Sequence, residues 1–168
     1  DVLKSFIKEL NEQDEFQIVA KEIPLVKKLI DTGYTGRKGK GGFYRMNKEN
    51  NQKILEALNL ETGKYSPTKK IDLGIETVNL NNLIDRKDKY GEYAWSIISK
   101  IIKYASSLVP GITDKFNDID EAMRLGFNWA MGPFEMLKSI GVKNFFDRVD
   151  NFRGNKFLED LSNNKDEN

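Results

Sequence analysis

Two groups of side chains in this 168-residue chain have types and spacing that could support chemistry. One is the carboxylate pair Glu121 and Glu135 in the stretch Asp120 to Gly141, DEAMRLGFNWAMGPFEMLKSIG. Brought to one corner, two such groups would serve as general acid and general base. The other is Arg37, Lys38 and Lys40 in the stretch Gly36 to Tyr44, GRKGKGGFY, cations suited to a polyphosphate. Neither group is a complete catalyst. The chain has no histidine, the usual base near neutral pH, and no cysteine. Disulfides, thiolate zinc sites and cysteine nucleophiles are therefore excluded. Glu135 reads more simply as a first-turn carboxylate favoured by a helix dipole, and Glu121 as a surface group. Asn128, an uncharged polar residue in the corner, is suited to satisfying backbone groups there. The sequence thus offers no catalytic residue and no metal ligand.

The glycine-rich stretch has no Lys-Ser/Thr ending of a P-loop, and no strand-to-helix context for a dinucleotide turn. It is expected to be a flexible, solvated turn feeding a strand over Gly42 to Met46. The corner needs two helices. Ile119 to Leu125 and Phe134 to Ile140 supply them, with Gly126 placed to turn left-handed after the first and Pro133 to open the second. Trp129 and Met131 are too large and apolar to be left in water. Phe127 and Trp129, like Trp95 and Tyr104, are expected in the core.

The longest helix is predicted over Glu92 to Leu108, where Tyr93, Ala94, Ile97, Ile98, Ile101, Ile102, Ala105 and Leu108 form an apolar stripe. Pro110 and Gly111 stop it, and Asp114 or Asn117 is expected to cap the next helix. Val2, Leu3, Phe6, Ile7 and Leu10 open the chain on an amphipathic helix, and Pro24 starts another that ends at Gly33. Asn47 to Glu56 is polar and expected to be a short helix. Ala57 to Pro67 reads as a hairpin that with Phe43 and Tyr44 makes a small antiparallel sheet. Val78 to Ile84 and Val142 to Phe152 read as further helices, and Asn163 to Asn168 as a disordered end.

Lys plus Arg is 27 and Asp plus Glu is 26, a net charge of +1. That balance, with one short basic loop, implies no nucleic-acid partner. No apolar run approaches a bilayer span and no signal peptide is visible, so a cytoplasmic location is the expectation.

The corner resembles the signature of the 3-hydroxyacyl-CoA dehydrogenase C-terminal domain, an Asp-x-Ala-Met-x-Leu-Gly run followed by Met-Gly-Pro-Phe-Glu. Asp120, Ala122, Met123, Leu125, Gly126, Met131, Gly132, Pro133, Phe134 and Glu135 carry the likeness. Gly36 to Tyr44 is similar to the closing segment of the same domain type. A closing segment ahead of a core signature resembles the duplicated helical domains of multifunctional fatty-acid oxidation proteins. The resemblance implies a mainly α fold, two related helical units (6-phosphogluconate-dehydrogenase C-terminal-like) with a small β-hairpin between them. It implies that residues 1–46 end a truncated first copy, 47–91 form hairpin and connector, 92–152 form the second copy, and 153–168 a partly disordered tail.

Functionally the resemblance implies part of an NAD-dependent enzyme of fatty-acid β-oxidation that oxidises 3-hydroxyacyl-CoA. Its His–Glu pair and its NAD site would lie in a separate N-terminal Rossmann domain, so this chain alone is expected to be inactive. The implied partners are that domain, the acyl-CoA substrate and a homo-oligomer, with Arg37, Lys38 and Lys40 on the CoA phosphates. The signature residues Asp120, Ala122, Met123, Gly126, Gly132, Pro133, Phe134 and Glu135 are expected to be structural. In the family the domain's first helix carries a substrate-side asparagine, and Tyr93 to Leu108 has none. Because Asp1 falls inside a helical pattern, the chain reads as a fragment of a larger polypeptide. A stand-alone helical protein-interaction module without catalysis is the alternative.

Overall fold

The computed structural model describes residues 2–49, 52–70, 72, 74, 79–149 and 156–163. The described residues are mainly α-helical with one small sheet, and they divide into two compact units, 1–73 and 74–168.

In the first unit α1 (Val2–Glu9) and α2 (Glu15–Val19) form a short hairpin. Asp14 makes it possible by accepting from the Phe16 N–H at 2.8 Å, the N-cap that a polar break before a helix supplies. Phe6 meets Phe16 edge-on, and Gln17 Nε2 donates to the carbonyls of Ile7 and Leu10. α3 (Pro24–Asp31) carries Pro24 in its first turn, where a missing N–H costs nothing. Gly33, at φ +85°, ends the segment in a conformation closed to most side chains.

The sheet runs β1 (Tyr44–Glu49), β2 (Gln52–Leu58), β3 (Tyr65–Pro67), antiparallel in that order. In sequence it lies between the two sets of helices, and it forms part of the first unit. Where a helix is expected over Asn47 to Glu56, the described residues are instead the end of β1 and most of β2. They are fair helix formers, but the cross-strand ladder Asn47–Ile54 and Arg45–Glu56 holds them extended, and such pairing overrides local propensity. The hairpin of β2 and β3 is present. Asn59 Oδ1 accepts from the Glu61 and Thr62 N–H groups, and Gly63 takes the positive φ the turn needs.

The second unit holds α4 (Leu80–Ile84), α5 (Lys89–Ser107), α6 (Phe116–Phe127), α7 (Pro133–Ile140), α8 (Val142–Arg148) and α9 (Lys156–Asn163). Its core is Ile84, Ile102, Ala105, Phe134, Leu137, Ile140, Phe145, Phe146 and Leu158, drawn from α4, α5, α7, α8 and α9. Helix α5 is the longest, as its stripe predicts, although Tyr93 and Ile97 stay exposed.

Three expectations are corrected here. Neither Asp114 nor Asn117 caps α6, whose N-cap is Lys115 with no side-chain bond; Thr113 Oγ1 accepts the Lys115 N–H instead. Gly126 lies inside α6, and the left-handed residue is Asn128 (φ 56°), whose short polar side chain tolerates that region. The segment expected to be tail after residue 152 contains α9, with Leu158 fully buried. The expected disorder of Asn163 to Asn168 falls largely outside the described residues.

Candidate functional site

The corner between α6 and α7 is organised by one buried carboxylate. A helix start leaves N–H groups without intrahelical partners, and an N-cap side chain usually accepts from one of them. Here the N-cap is Gly132, which has no side chain to offer. Asp120, reaching across from α6, takes the role: Oδ1 accepts from the Phe134 N–H at 2.8 Å and Oδ2 from the Glu135 N–H at 3.1 Å. Pro133 has no N–H to satisfy. The remaining Gly132 N–H goes to Glu135 Oε2 at 2.8 Å. Every donor of the first turn is therefore accounted for by two carboxylates and one proline.

Glycine at 132 is required by this geometry. A Cβ there would overlap Asp120 Oδ1 and the Asp120 backbone, so α6 and α7 approach only because it is absent. Burial pushes the Asp120 carboxyl above its ordinary range, against the pull of the Phe134 N–H. Arg124 Nη1 closes the arrangement on Glu135 Oε1 at 2.6 Å. Both Glu135 oxygens are thus engaged in structure, and Glu121 is exposed on α6. No acid–base pair is assembled. Phe134 packs its ring against Phe116 and Phe157, which ties the corner to α9.

The other signature positions behave differently. Ala122 is exposed and Met123 half-buried; the Met123 carbonyl accepts the Asn128 and Trp129 N–H groups. Nothing lies within 4 Å of where a Gly126 Cβ would sit. Trp129 and Met131 are half-buried, but Leu125 is 78% and Phe127 70% exposed, so Phe127 is not the core residue expected.

The basic loop in the first unit is solvated but fixed in place. Gly36 and Gly41 form a bridge, the Gly36 N–H donating to the Gly41 carbonyl at 2.7 Å. Gly41 sits at φ +122°, and a Cβ there would strike Arg45. Lys40 Nζ donates to the Thr32 carbonyl at 3.1 Å, capping the end of α3, with its stem against Gly33. Arg37 and Lys38 are exposed. The loop's exit is held by Tyr65, whose hydroxyl donates to the Gly42 carbonyl at 2.6 Å. Arg45 lies 4.1 Å over the Tyr65 ring and donates to Glu56 Oε2 at 2.6 Å, while Asn47 donates to Glu56 Oε1. The Arg45 hydrogen bond holds the Glu56 carboxyl below its ordinary range. The three cations therefore divide: one is a helix cap, two face solvent.

Two further clusters in the second unit were not singled out in the sequence. Asp88 caps α5 through the Tyr90 and Gly91 N–H groups and is clamped by Arg86, which together hold its carboxyl at about 2. Gly91 permits this, since a Cβ would overlap the Arg86 carbonyl. Arg148 lies 4.0 Å over the Trp95 ring and donates to Asp85 and the Ile84 carbonyl. The available signal for the first was an aspartate immediately before a long apolar-periodic run. No group of three His, Cys, Asp or Glu suited to a metal occurs among the described residues. The described strands are antiparallel, so the glycine loop does not form the parallel βαβ turn that holds a dinucleotide.

Comparison with known proteins bears on the same stretch. Residues 93–159 match the family model of the 3-hydroxyacyl-CoA dehydrogenase C-terminal domain. A Rickettsia prowazekii protein named as a fatty acid oxidation complex trifunctional enzyme is 38% identical over 153 residues, covering 89% of this chain and 21% of that protein. A Bacillus subtilis protein named as a 3-hydroxyacyl-CoA dehydrogenase is 29% identical over 128 residues, covering 73% of this chain and 16% of that protein. An uncharacterised Rickettsia conorii protein is 44% identical over 45 residues, 27% of this chain and 86% of its own length. No solved structure is a significant match. The chain spans about a fifth of the length of the trifunctional relative. No helix among the described residues is long and apolar enough to cross a membrane. Residues 93–159, where the Asp120–Gly132–Glu135 corner lies, are thus similar to the 3-hydroxyacyl-CoA dehydrogenase C-terminal domain.

Proposed function

We propose that this chain is the C-terminal part of an NAD-dependent 3-hydroxyacyl-CoA dehydrogenase of cytoplasmic fatty-acid β-oxidation. In this reading it completes the acyl-CoA cleft and the packing of domains, and makes no NADH by itself. The observation that carries it is the family match over a corner whose acidic side chains Asp120 and Glu135 are both committed to capping α7. A chain without histidine, whose best-placed carboxylates are structural, needs its general base from elsewhere. NAD would be bound by a separate Rossmann domain, since the described residues offer it no parallel crossover. Residues 1–46 would close a first helical copy and 92–152 would form a second.

Within this reading Arg37 and Lys38 are the cations open to CoA phosphates. Lys40 would join them only by leaving Thr32. The test has two arms. The purified chain, given 3-hydroxybutyryl-CoA and NAD, should show no rise in absorbance of NADH; a rise would refute the assignment of catalysis elsewhere. Calorimetric titration with acetoacetyl-CoA, against free CoA, should show heat that Arg37→Ala/Lys38→Ala removes. Equal heat from the variant would place the phosphates on other groups.

A further inference from the structure

The loop that carries Arg37 and Lys38 is tied at both ends by one side chain from β3. At its tip the Gly39 N–H donates to the Gly36 carbonyl at 2.9 Å, so Arg37 and Lys38 are the central residues of a β-turn. Below the tip the Gly36–Gly41 bridge closes the neck. Tyr65 then reaches both segments of chain that leave the neck. On the entry side its ring stacks on Tyr34, with centroids 5.6 Å apart and planes 23° from parallel. On the exit side its hydroxyl donates to the Gly42 carbonyl at 2.6 Å.

Tyr65 is itself braced. Leu58 is its partner across the β2–β3 ladder, and the Leu58 N–H donates to the Phe43 carbonyl at 2.8 Å. Arg45 lies over the Tyr65 ring and donates to the Tyr34 hydroxyl at 3.4 Å. Glu56, only 8% exposed, holds Arg45 in turn. Burial pushes the Tyr65 hydroxyl above its ordinary range, so the proton it donates stays in place.

Cations on a loose glycine loop lose freedom when they meet a polyphosphate, and that cost subtracts from affinity. In this chain the backbone beneath Arg37 and Lys38 is set before a ligand arrives. The group that sets it is uncharged and lies 23 residues from Gly42.

We infer that Tyr65 is a positioning residue for CoA binding: by stapling Tyr34 to Gly42 it holds the turn that presents Arg37 and Lys38. This role rests on the reading of those two cations as phosphate ligands, and adds to it a determinant of affinity outside the basic loop.

Tyr65→Phe removes one hydroxyl and keeps the ring between Tyr34 and Arg45. The Gly36 and Gly39 amides should exchange with deuterium faster in this variant than in the unaltered chain. Calorimetric titration should show acetoacetyl-CoA binding the variant roughly three- to tenfold more weakly, the cost of ordering a freed loop on binding. In a Lys38→Ala background the same change should cost less, because the two residues act through one turn. No heat from the unaltered chain would refute the CoA reading and this role together. Three other results would overturn the role of Tyr65 alone: equal affinity in Tyr65→Phe, loop exchange indifferent to the hydroxyl, or an equal loss in both backgrounds.

Discussion

At the residue scale, the corner depends on Asp120 more than on any charge at its surface. Asp120→Ala leaves the Phe134 and Glu135 N–H groups without acceptors in a buried place. The expected loss is about 1–3 kcal/mol in urea unfolding, the cost of stranded buried donors. Gly132→Ala should destabilise by a similar order through overlap with Asp120, whereas Arg124→Ala, breaking a partly exposed pair, should cost at most ~1 kcal/mol. If Arg124→Ala proved the worst of the three, the corner would be held by its ion pair and not by its caps. Asp88 and Asp120 respond oppositely to acid. The folded state binds the Asp88 proton less tightly than the unfolded chain does, its carboxyl falling from the ordinary 3.8 to about 2. Its stabilisation is complete above about pH 4 and is lost as pH falls toward 2. The raised Asp120 value acts the other way, so stability falls as pH rises through it. Asp88→Asn should therefore flatten the acid limb of a stability–pH curve between about pH 4 and 2. An unchanged limb would mean that the Arg86 clamp does not persist in solution.

At the element scale, α9 decides how large the second unit is. Leu158 is fully buried and Phe157 packs on Phe134 and Phe116. Leu158→Ala should cost about 2–5 kcal/mol, and an exposed-tail variant would cost almost nothing; denaturant midpoints separate the two. The helix was legible in principle, since Phe157, Leu158 and Leu161 fall at helical spacing, but the asparagine-rich end masks so short a signal. Helices α3, α5 and α7 were readable because Pro24, the isoleucine stripe and Pro133 act locally. The strands over Asn47 to Glu56 were not, because their stability comes from partners across the ladder, and Arg45–Glu56 is invisible to local spacing. Gly126 misled for a related reason: α6 runs one residue past it, and the turn is taken by Asn128, whose short polar side chain tolerates the left-handed region. In the corner, Gly132 and Pro133 were recognisable as structural residues. That Asp120 serves as the missing N-cap followed only from the approach of two helices.

At the scale of the whole molecule, the two units are unequally built. Among the described residues, the second collects nine buried core residues, whereas the buried apolar side chains of the first are Leu29 and Leu58. Hydrophobic burial is the main term opposing chain entropy, so the described residues of the first unit rely mostly on backbone pairing, the Tyr34–Tyr65–Arg45 stack and the hydrogen bonds of Arg45 and Asn47 to Glu56. Amides in α1 and α2 should therefore exchange with deuterium near the unprotected rate in dilute protein. Those of α5, around Ile102 and Ala105, should exchange only on global opening of their unit. Protection of α1 equal to that of α5 would mean that the first unit is held by more than the contacts its described residues make.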